Sequence, residues 1–273
     1  MYADLLDAAA IQELVAEYRP GAIVHLAAMF APASYRNPRL ARKVNVQGTT
    51  NLVDAAKALP EPPLFLTASS AAVYGSGNPY RHSERITPDT PVNPVDQYGE
   101  DKVLTEAVVR ESTLPHAMWG SRSPTRWTGP TPSAAKSCSS PATTPICTPT
   151  ASSRTTSWSI MEAVGIGRLG ASASLPGDPD DEWGWTFTGF FDTTKSQALP
   201  GFQQHAWPDT VGWVAESMGR RRTTWRALGP VIRPVMRLFL AVPRRVERRG
   251  RYADPWRLIG TKYGPDVLAP TNF

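Results

Sequence analysis

The sequence predicts an α/β protein built on a parallel sheet. Two observations carry this expectation. Over the first 110 residues, stretches with apolar residues at helical spacing alternate with short, uninterrupted apolar runs. Those runs lack the apolar–polar alternation of a half-solvated strand, so they read as strands covered on both faces by helices. The order helix–strand–helix–strand–loop–helix then makes parallel strands with helical crossovers the economical topology.

Ala8 to Tyr18 reads as the first helix, with Ile11, Leu14, Val15 and Tyr18 on one stripe. Pro20-Gly21 ends it. Ala22 to Ala28 (AIVHLAA) reads as a strand buried on both faces. Asn37 caps a second helix with Pro38 in its first turn, and the periodic pattern runs on to Leu59. Leu64 to Ser69 is the second strand, ending in a Ser pair. A Pro-rich loop follows, and Tyr98 to Val109 is a third helix with Val103, Ala107 and Val108 inward.

From Ser121 to Ser157 the texture changes. Of these 37 residues, 24 are Ser, Thr or Pro, so a regular packed element is not expected. Two readings stay open: a flexible insertion, or a stretch translated out of frame, with the normal frame resuming near Ile160. Either way, the segment stands where the next strand is due. Beyond it, Ile160 to Ala173 supplies a short helix and a strand, Asp192 to Gly201 a capped short helix, and Pro208 to Met218 a further helix. Gly165, Gly167 and Gly170 match a dinucleotide-binding spacing, yet no strand precedes them and too few residues follow for the helix the motif must open. A chance match is the reading adopted.

Composition narrows the classes of function. No run of about 18 apolar residues occurs, so no membrane span is expected. The start carries no basic and apolar signal region, and there are only two cysteines, Cys138 and Cys147. A reducing, cytoplasmic location is the expectation. Asp178 to Trp183 (DPDDEW) lacks the ligand spacing of a calcium loop and reads as a solvated turn, so no metal is expected. Between Arg220 and Arg251 stand 11 arginines and one acid, Glu247, interleaved with apolar residues. This segment reads either as a solvated basic face over a core-packing apolar one or as a helix on an anionic membrane surface. No nucleic-acid-binding signature accompanies the charge.

The chemistry concentrates between Leu64 and Lys102. Tyr98 and Lys102 are four apart at a helix start and share a face. A free Tyr, with a value of about 10, is a poor base at neutral pH. A nearby ammonium lowers that value, which lets Tyr98 exchange a proton with a substrate hydroxyl or carbonyl. Ser70 stands at the carboxyl end of its strand, where ligands collect in open α/β sheets. Tyr-x-x-x-Lys alone also fits a solvated surface pair. The Ser strand and the Tyr helix together make the stronger case.

These residues carry a resemblance. AIVHLAA, NVQGTTNLVDAAK, LTASSAAVYG and YGEDK, in that order, resemble the extended short-chain dehydrogenase/reductases of the NAD-dependent epimerase/dehydratase group. The likeness is specific over Tyr2 to Arg110 and returns loosely at Phe191 to Ala215. It implies a partial Rossmann-like, doubly wound parallel sheet without its first phosphate-binding βαβ unit, and a smaller C-terminal substrate lobe. The implied organisation is a truncated NAD(P)-binding domain over 1–118, an irregular segment over 119–157, and a lobe remnant with an Arg-rich tail over 158–273. Ser70 is then the substrate-positioning hydroxyl, Tyr98 the acid/base, and Lys102 the residue that binds the nicotinamide ribose. Asp4 and Leu5 match an adenine-contacting pair. Leu26, Ala27 and Ala28 match the stretch that passes the cofactor, and Asn45 an Asn near the active site. NAD or NADP is the implied cofactor, and a small molecule such as a nucleotide sugar the implied substrate. A homodimer and weak membrane-surface contact through the tail are further expectations. Ala71 and Ala72 stand where sugar dehydratases of this group carry an Asp-Glu pair, which argues against dehydration. Reductases of steroid- or flavonoid-like alcohols share the triad and stay open as an alternative, as does a catalytically inactive relative.

Overall fold

The computed structural model describes residues 3–81, 84–119, 153–169, 177–182, 184–185, 189–192, 194, 205, 207–246 and 250–269. Its organising element is a parallel three-stranded sheet. Helix α1 spans Ala8–Tyr18 and is capped by the Asp7 carboxylate, which accepts from the Ala10 amide at 3.0 Å. Strand β1 is Ala22–His25, β2 is Leu64–Ala68 and β4 is His116–Trp119, in the order β1-β2-β4. The register pairs Ala22 with Leu64 and Phe65 with His116. Strand β4 corrects an expectation: the next parallel strand is present, formed just before residue 121. Four residues with a single strong apolar run on neither side gave the sequence too little pattern.

Between β1 and β2 the chain forms α2 (Ala33–Arg36), then α3 (Pro38–Arg42), a π-helical turn (Lys43–Gln47) and α4 (Gly48–Lys57). Asn37 caps α3, as expected, by accepting from the Leu40 amide at 3.1 Å. Helix α5, Gln97–Glu111, links the loop after β2 to β4. Val53, Ala56, Phe65, Val109, Leu114 and Met118 make one core cluster. Ile11, Val15, Ala55 and Leu59 make a second, against which Leu5, Ile23 and Leu52 pack. Tyr18 departs from its expected stripe and is 62% exposed.

The first strand also departs from expectation. It stops at His25, lies at the edge of the sheet, and leaves Val24 61% exposed. An apolar residue on an unpaired edge is a surface that invites a further strand.

The C-terminal part is mostly helical: α6 (Ser153–Val164), α7 (Trp207–Met218), α8 (Arg221–Val246) and α9 (Pro255–Tyr263). The strand expected within Ile160 to Ala173 does not occur in the described part, which ends at 169. The helix expected over Asp192 to Gly201 lies outside the described residues apart from its start, where Asp192 Oδ1 accepts from the Thr194 amide at 3.0 Å. Helix α6 begins inside the segment expected to be irregular. A two-residue parallel pair, β3 (Arg85–Ile86) with β5 (Phe190–Phe191), ties the two halves together. The acidic turn at 178–182 is not simply solvated. Asn78, fully buried, donates to the carbonyls of Pro179 and Asp181 at 2.8 and 3.1 Å. Among the described residues no cluster suited to a metal occurs, and no helix is long and apolar enough to cross a membrane.

Helix α8 settles the face of the Arg-rich stretch. Val231, Val235, Leu238, Phe239 and Val242 are all more than half exposed, so the expected core-packing apolar face is overturned. The apolar stripe faces solvent, and it is Arg222, Arg226, Arg233 and Arg237 that meet the loop at the end of α6.

Candidate active site

Strand β2 delivers Ser69 and Ser70 at its carboxyl end. Ser70 has extended backbone and its hydroxyl accepts from the Ala72 amide at 3.2 Å, capping a short 3-10 turn, Ala71–Tyr74. Gly75 follows at φ +70°. A Cβ there would lie 1.9 Å from the Asn93 carbonyl oxygen, so only glycine fits this turn. Helix α5 arrives from the other side. Asp96 caps it by accepting from the Gly99 amide at 2.8 Å, and the Tyr35 hydroxyl donates to the other Asp96 oxygen at 2.6 Å. This doubly fixed start sets the position of Tyr98.

The structure brings Ser70, Tyr98 and Lys102 together. The Ser70 hydroxyl lies close enough to the Tyr98 hydroxyl to act on its acidity. The Lys102 Nζ lies 5.9 Å from the centre of the Tyr98 ring. It is buried, at 6% exposure, and donates to the Ala68 carbonyl at 2.8 Å. The expected electrostatics differ from what is found. Burial raises the Tyr98 phenol above its usual value, the nearby Ser70 hydroxyl opposes this, and the Asp96 charge adds to it. The ammonium does not offset burial because it is turned toward the strand end. Burial in turn lowers Lys102, against the charges of Glu106 and Asp101.

Asn45 is neither exposed nor idle. It sits in the π-helical turn, 3% exposed. Its Oδ1 accepts from the Met29 amide at 2.7 Å and its Nδ2 donates to the Met29 carbonyl at 3.0 Å. Nδ2 also reaches Asp101 Oδ2 at 3.3 Å. The side chain thereby ties the segment after β1 to the helix that carries Tyr98 and Lys102. The Asn45 carbonyl also serves two side chains. The hydroxyls of Thr49 and Thr105 donate to it, at 2.6 and 3.3 Å.

Leu26 and Ala27 are exposed, Leu26 at 68%, and Ala28 is half-buried. These residues are therefore a surface, not strand packing. Asp4 is exposed and its carboxylate is spent on the Leu6 amide at 2.9 Å. Leu5 packs on the Gly48 end of α4, and its carbonyl accepts from Asn51 Nδ2 at 2.8 Å. The pair is anchored to α4 and makes no contact with the Ser–Tyr–Lys group in the described bonds.

Sequence reasoning missed Asp101 and Glu106. Asp101 is fully buried, bound by Arg42 Nε at 2.8 Å, and burial raises its carboxyl above the usual range. Glu106, 1% exposed, accepts from the Ser69 hydroxyl at 2.5 Å and pairs with Arg110 at 2.6 Å. One signal was present: α5 has too few apolar residues for an inward stripe, so polar side chains must occupy part of its buried face.

The cofactor end of this site can be tested on Lys102. Its buried ammonium has three donors, and among the described residues the one acceptor bonded to it is the Ala68 carbonyl. Two donors left near the Tyr98 ring fit a vicinal diol such as a ribose. A cradle for the pyrophosphate is not found among the described residues. The Gly165 and Gly167 amides, the candidates by spacing, are bonded back to the carbonyls of Met161 and Glu162, at the end of a helix rather than its start.

The N-terminal residues of the chain are similar to known proteins. Residues 1–132 match the model of the NAD dependent epimerase/dehydratase family. The chain is 38% identical over 110 residues to UDP-glucose 4-epimerase of Mycoplasma genitalium, covering 40% of this chain and 32% of the relative. It is 38% identical over 105 residues to the enzyme of that name in Mycolicibacterium smegmatis, again covering 32% of the relative. The chain thus spans about a third of the length of these curated relatives. Among solved structures, UDP-glucose 4-epimerase from Brucella ovis in complex with NAD aligns at 28% identity, over 43% of this chain and 36% of that one, with a TM-score of 0.38. The parallel sheet, Ser70, Tyr98 and Lys102 all fall within residues 1–132, the part of this chain that is similar to the NAD-dependent epimerase/dehydratase family of extended short-chain dehydrogenase/reductases.

Proposed function

We propose that the chain carries the catalytic half of an NAD-dependent epimerase or related oxidoreductase acting on a nucleotide-linked sugar or a similar alcohol. The observation that carries this reading is the buried Lys102 amine, 5.9 Å from the centre of the Tyr98 ring, with Ser70 at the strand end beside them. Lys102 would hold the nicotinamide ribose, with Tyr98 beside it. Bound there, the nicotinamide supplies the hydride acceptor or donor. The protein's own residues handle the proton. Ser70 hydrogen-bonds the substrate oxygen and orients it toward the Tyr98 hydroxyl. Because burial holds Tyr98 above its usual value, it is a phenol at neutral pH. It therefore serves first as the acid that protonates a carbonyl oxygen being reduced. Its action as base on a substrate hydroxyl grows as pH rises. Ala71 and Ala72 put no carboxylate beside the substrate carbon, which leaves redox exchange without water elimination.

Titration of the whole chain with NAD, followed by tryptophan fluorescence, tests this reading. A saturable change is expected, and none up to millimolar NAD refutes it. Tyr98→Phe is expected to keep that binding and lower turnover by about 10²–10⁴-fold. Full turnover in this variant overturns the role of Tyr98.

A second reading rests on α8. Its solvent-facing stripe, from Val231 to Val242, is flanked by the exposed Arg221 and Arg245. A membrane surface would bury that stripe. Co-sedimentation with phosphatidylserine vesicles checks it, and no pelleting above the level with neutral vesicles rejects it.

A further inference from the structure

Two features had no place in the catalytic reading: the glycine spacing at Gly165–Gly167 and the arginines of α8. The structure places them against each other. After α6 ends, Gly165 and Gly167 take φ values of +104° and +80°, and the chain doubles back. A Cβ on Gly165 would lie 2.6 Å from the Arg222 carbonyl oxygen, and one on Gly229 would lie 2.9 Å from the Ile166 carbonyl oxygen. Glycines on both sides thus let the loop sit directly on α8. Arg237 Nε donates to the Leu169 carbonyl at 2.5 Å and fastens the far end.

This close approach frames a cavity of about 370 Å³, lined by Glu162, Gly165, Ile166 and Gly167 on one side and by Arg222, Arg226 and Arg233 on the other. The three arginines fall at i, i+4 and i+11, one face of the helix. The cavity's carboxylate, Glu162, is already bound by Arg168 Nε at 2.7 Å. Among the described residues, no carboxylate forms an ion pair with Arg222, Arg226 or Arg233. Arg233 gives its Nε to the Gly229 carbonyl at 3.1 Å, which fixes its stem and leaves its terminal amines. Three like charges gathered around one space repel each other, and an anion relieves this. Guanidinium forks match phosphate oxygens two at a time.

We propose that this cavity is a binding site for a phosphate-bearing anion, a phosphomonoester or a diphosphate. The volume exceeds that of a lone phosphate and falls within the range of small-ligand pockets. Ile166 offers the attached group an apolar contact. Recognition comes from the side chains of α8, because the Gly165 and Gly167 amides are spent on the end of α6. The proposal does not depend on the Ser70–Tyr98–Lys102 reading, which uses other elements.

Calorimetry of the whole chain with inorganic pyrophosphate at low salt tests it. One-to-one binding is expected, weakened about tenfold or more in the double variant Arg226→Gln, Arg233→Gln. Arg226→Lys, Arg233→Lys keeps the charge but not the forks and should bind with a strength between that of the parent and that of the glutamine variant. The control Arg220→Gln, Arg221→Gln makes the same change in net charge outside the cavity and should bind like the parent. Equal losses in control and cavity variants would show a response to net charge alone and overturn the site, as would absence of pyrophosphate binding in the parent. Phosphatidic acid vesicles separate the sources of the phosphate. Pelleting that pyrophosphate abolishes and Arg226→Gln, Arg233→Gln lowers supports a lipid headgroup at this site. Pyrophosphate binding without such pelleting supports a soluble phosphate.

Discussion

Acid should destabilise this protein through one histidine. His25 is buried, and its value falls from 6.5 to about 4, first by burial and then by the charge of Lys102. Its Nε2 lies 2.9 Å from Thr49 Oγ1, and the Thr49 hydroxyl donates to the Asn45 carbonyl. The Thr49 oxygen is therefore the acceptor, Nε2 carries the proton, and Nδ1 titrates. Below about 6.5 the unfolded chain takes up a proton that the folded chain refuses until about 4. The folded value is depressed, so stability rises with pH through this window and is flat, for this group, outside it. The gap from 6.5 to about 4, at 1.36 kcal/mol per pH unit, is about 3 kcal/mol. Urea denaturation of the parent and of His25→Gln from pH 4 to 7 measures it. Glutamine keeps a donor for Thr49 and cannot titrate. Carboxylates titrate alike in both proteins, so the parent's advantage at pH 7 should shrink by about 3 kcal/mol at pH 4. Parallel stability curves would refute the reasoning, as would an NMR midpoint near 6.5 for the His25 ring.

Asn45→Ala removes two bonds to the Met29 backbone and one to Asp101, and should cost about 3 kcal/mol at about 1 per bond. Hydrogen exchange at the Met29 amide should quicken, and unchanged exchange would contradict the tie. Phe65→Ala empties the centre of the sheet core, where the ring has no exposure, and should lower stability by about 3–5 kcal/mol in urea. A loss under about 1 kcal/mol would mean that the core does not rest on it. Gly75→Ala forces a Cβ onto the Asn93 carbonyl at positive φ and should cost about 2 kcal/mol or more by thermal melting. A parent-like melt would show that the turn after Ser70 is free to shift.

The sequence by itself determined the elements whose pattern is local. Helix α1 has its predicted bounds because its apolar spacing and its ends are written in adjacent residues. Asn37 caps where it was expected because a cap is a three-residue interaction. The placing of Ser70 at a strand end, and of Tyr98 and Lys102 one helical turn apart, was legible for the same reason. Patterns without a periodic signature were not legible. Strand β4 is four residues long and draws its place from pairing with β2. The exposure of Val24 depends on which neighbour a strand has, and no residue of the strand encodes that.

Tertiary structure alone decided what surrounds the site. The buried face of α5 is polar because Asp101 finds Arg42 and Asn45, and Glu106 finds Ser69 and Arg110. Each partner except Arg110 is 37 or more residues away in sequence. The phenol of Tyr98 goes up rather than down because desolvation is a property of the whole packing, and the nearby ammonium points to Ala68. The direction of the α8 arginines was hidden likewise. A helix fixes which residues share a face, but the face that turns inward is chosen by what it meets, here a glycine loop that only glycines on both partners allow so close.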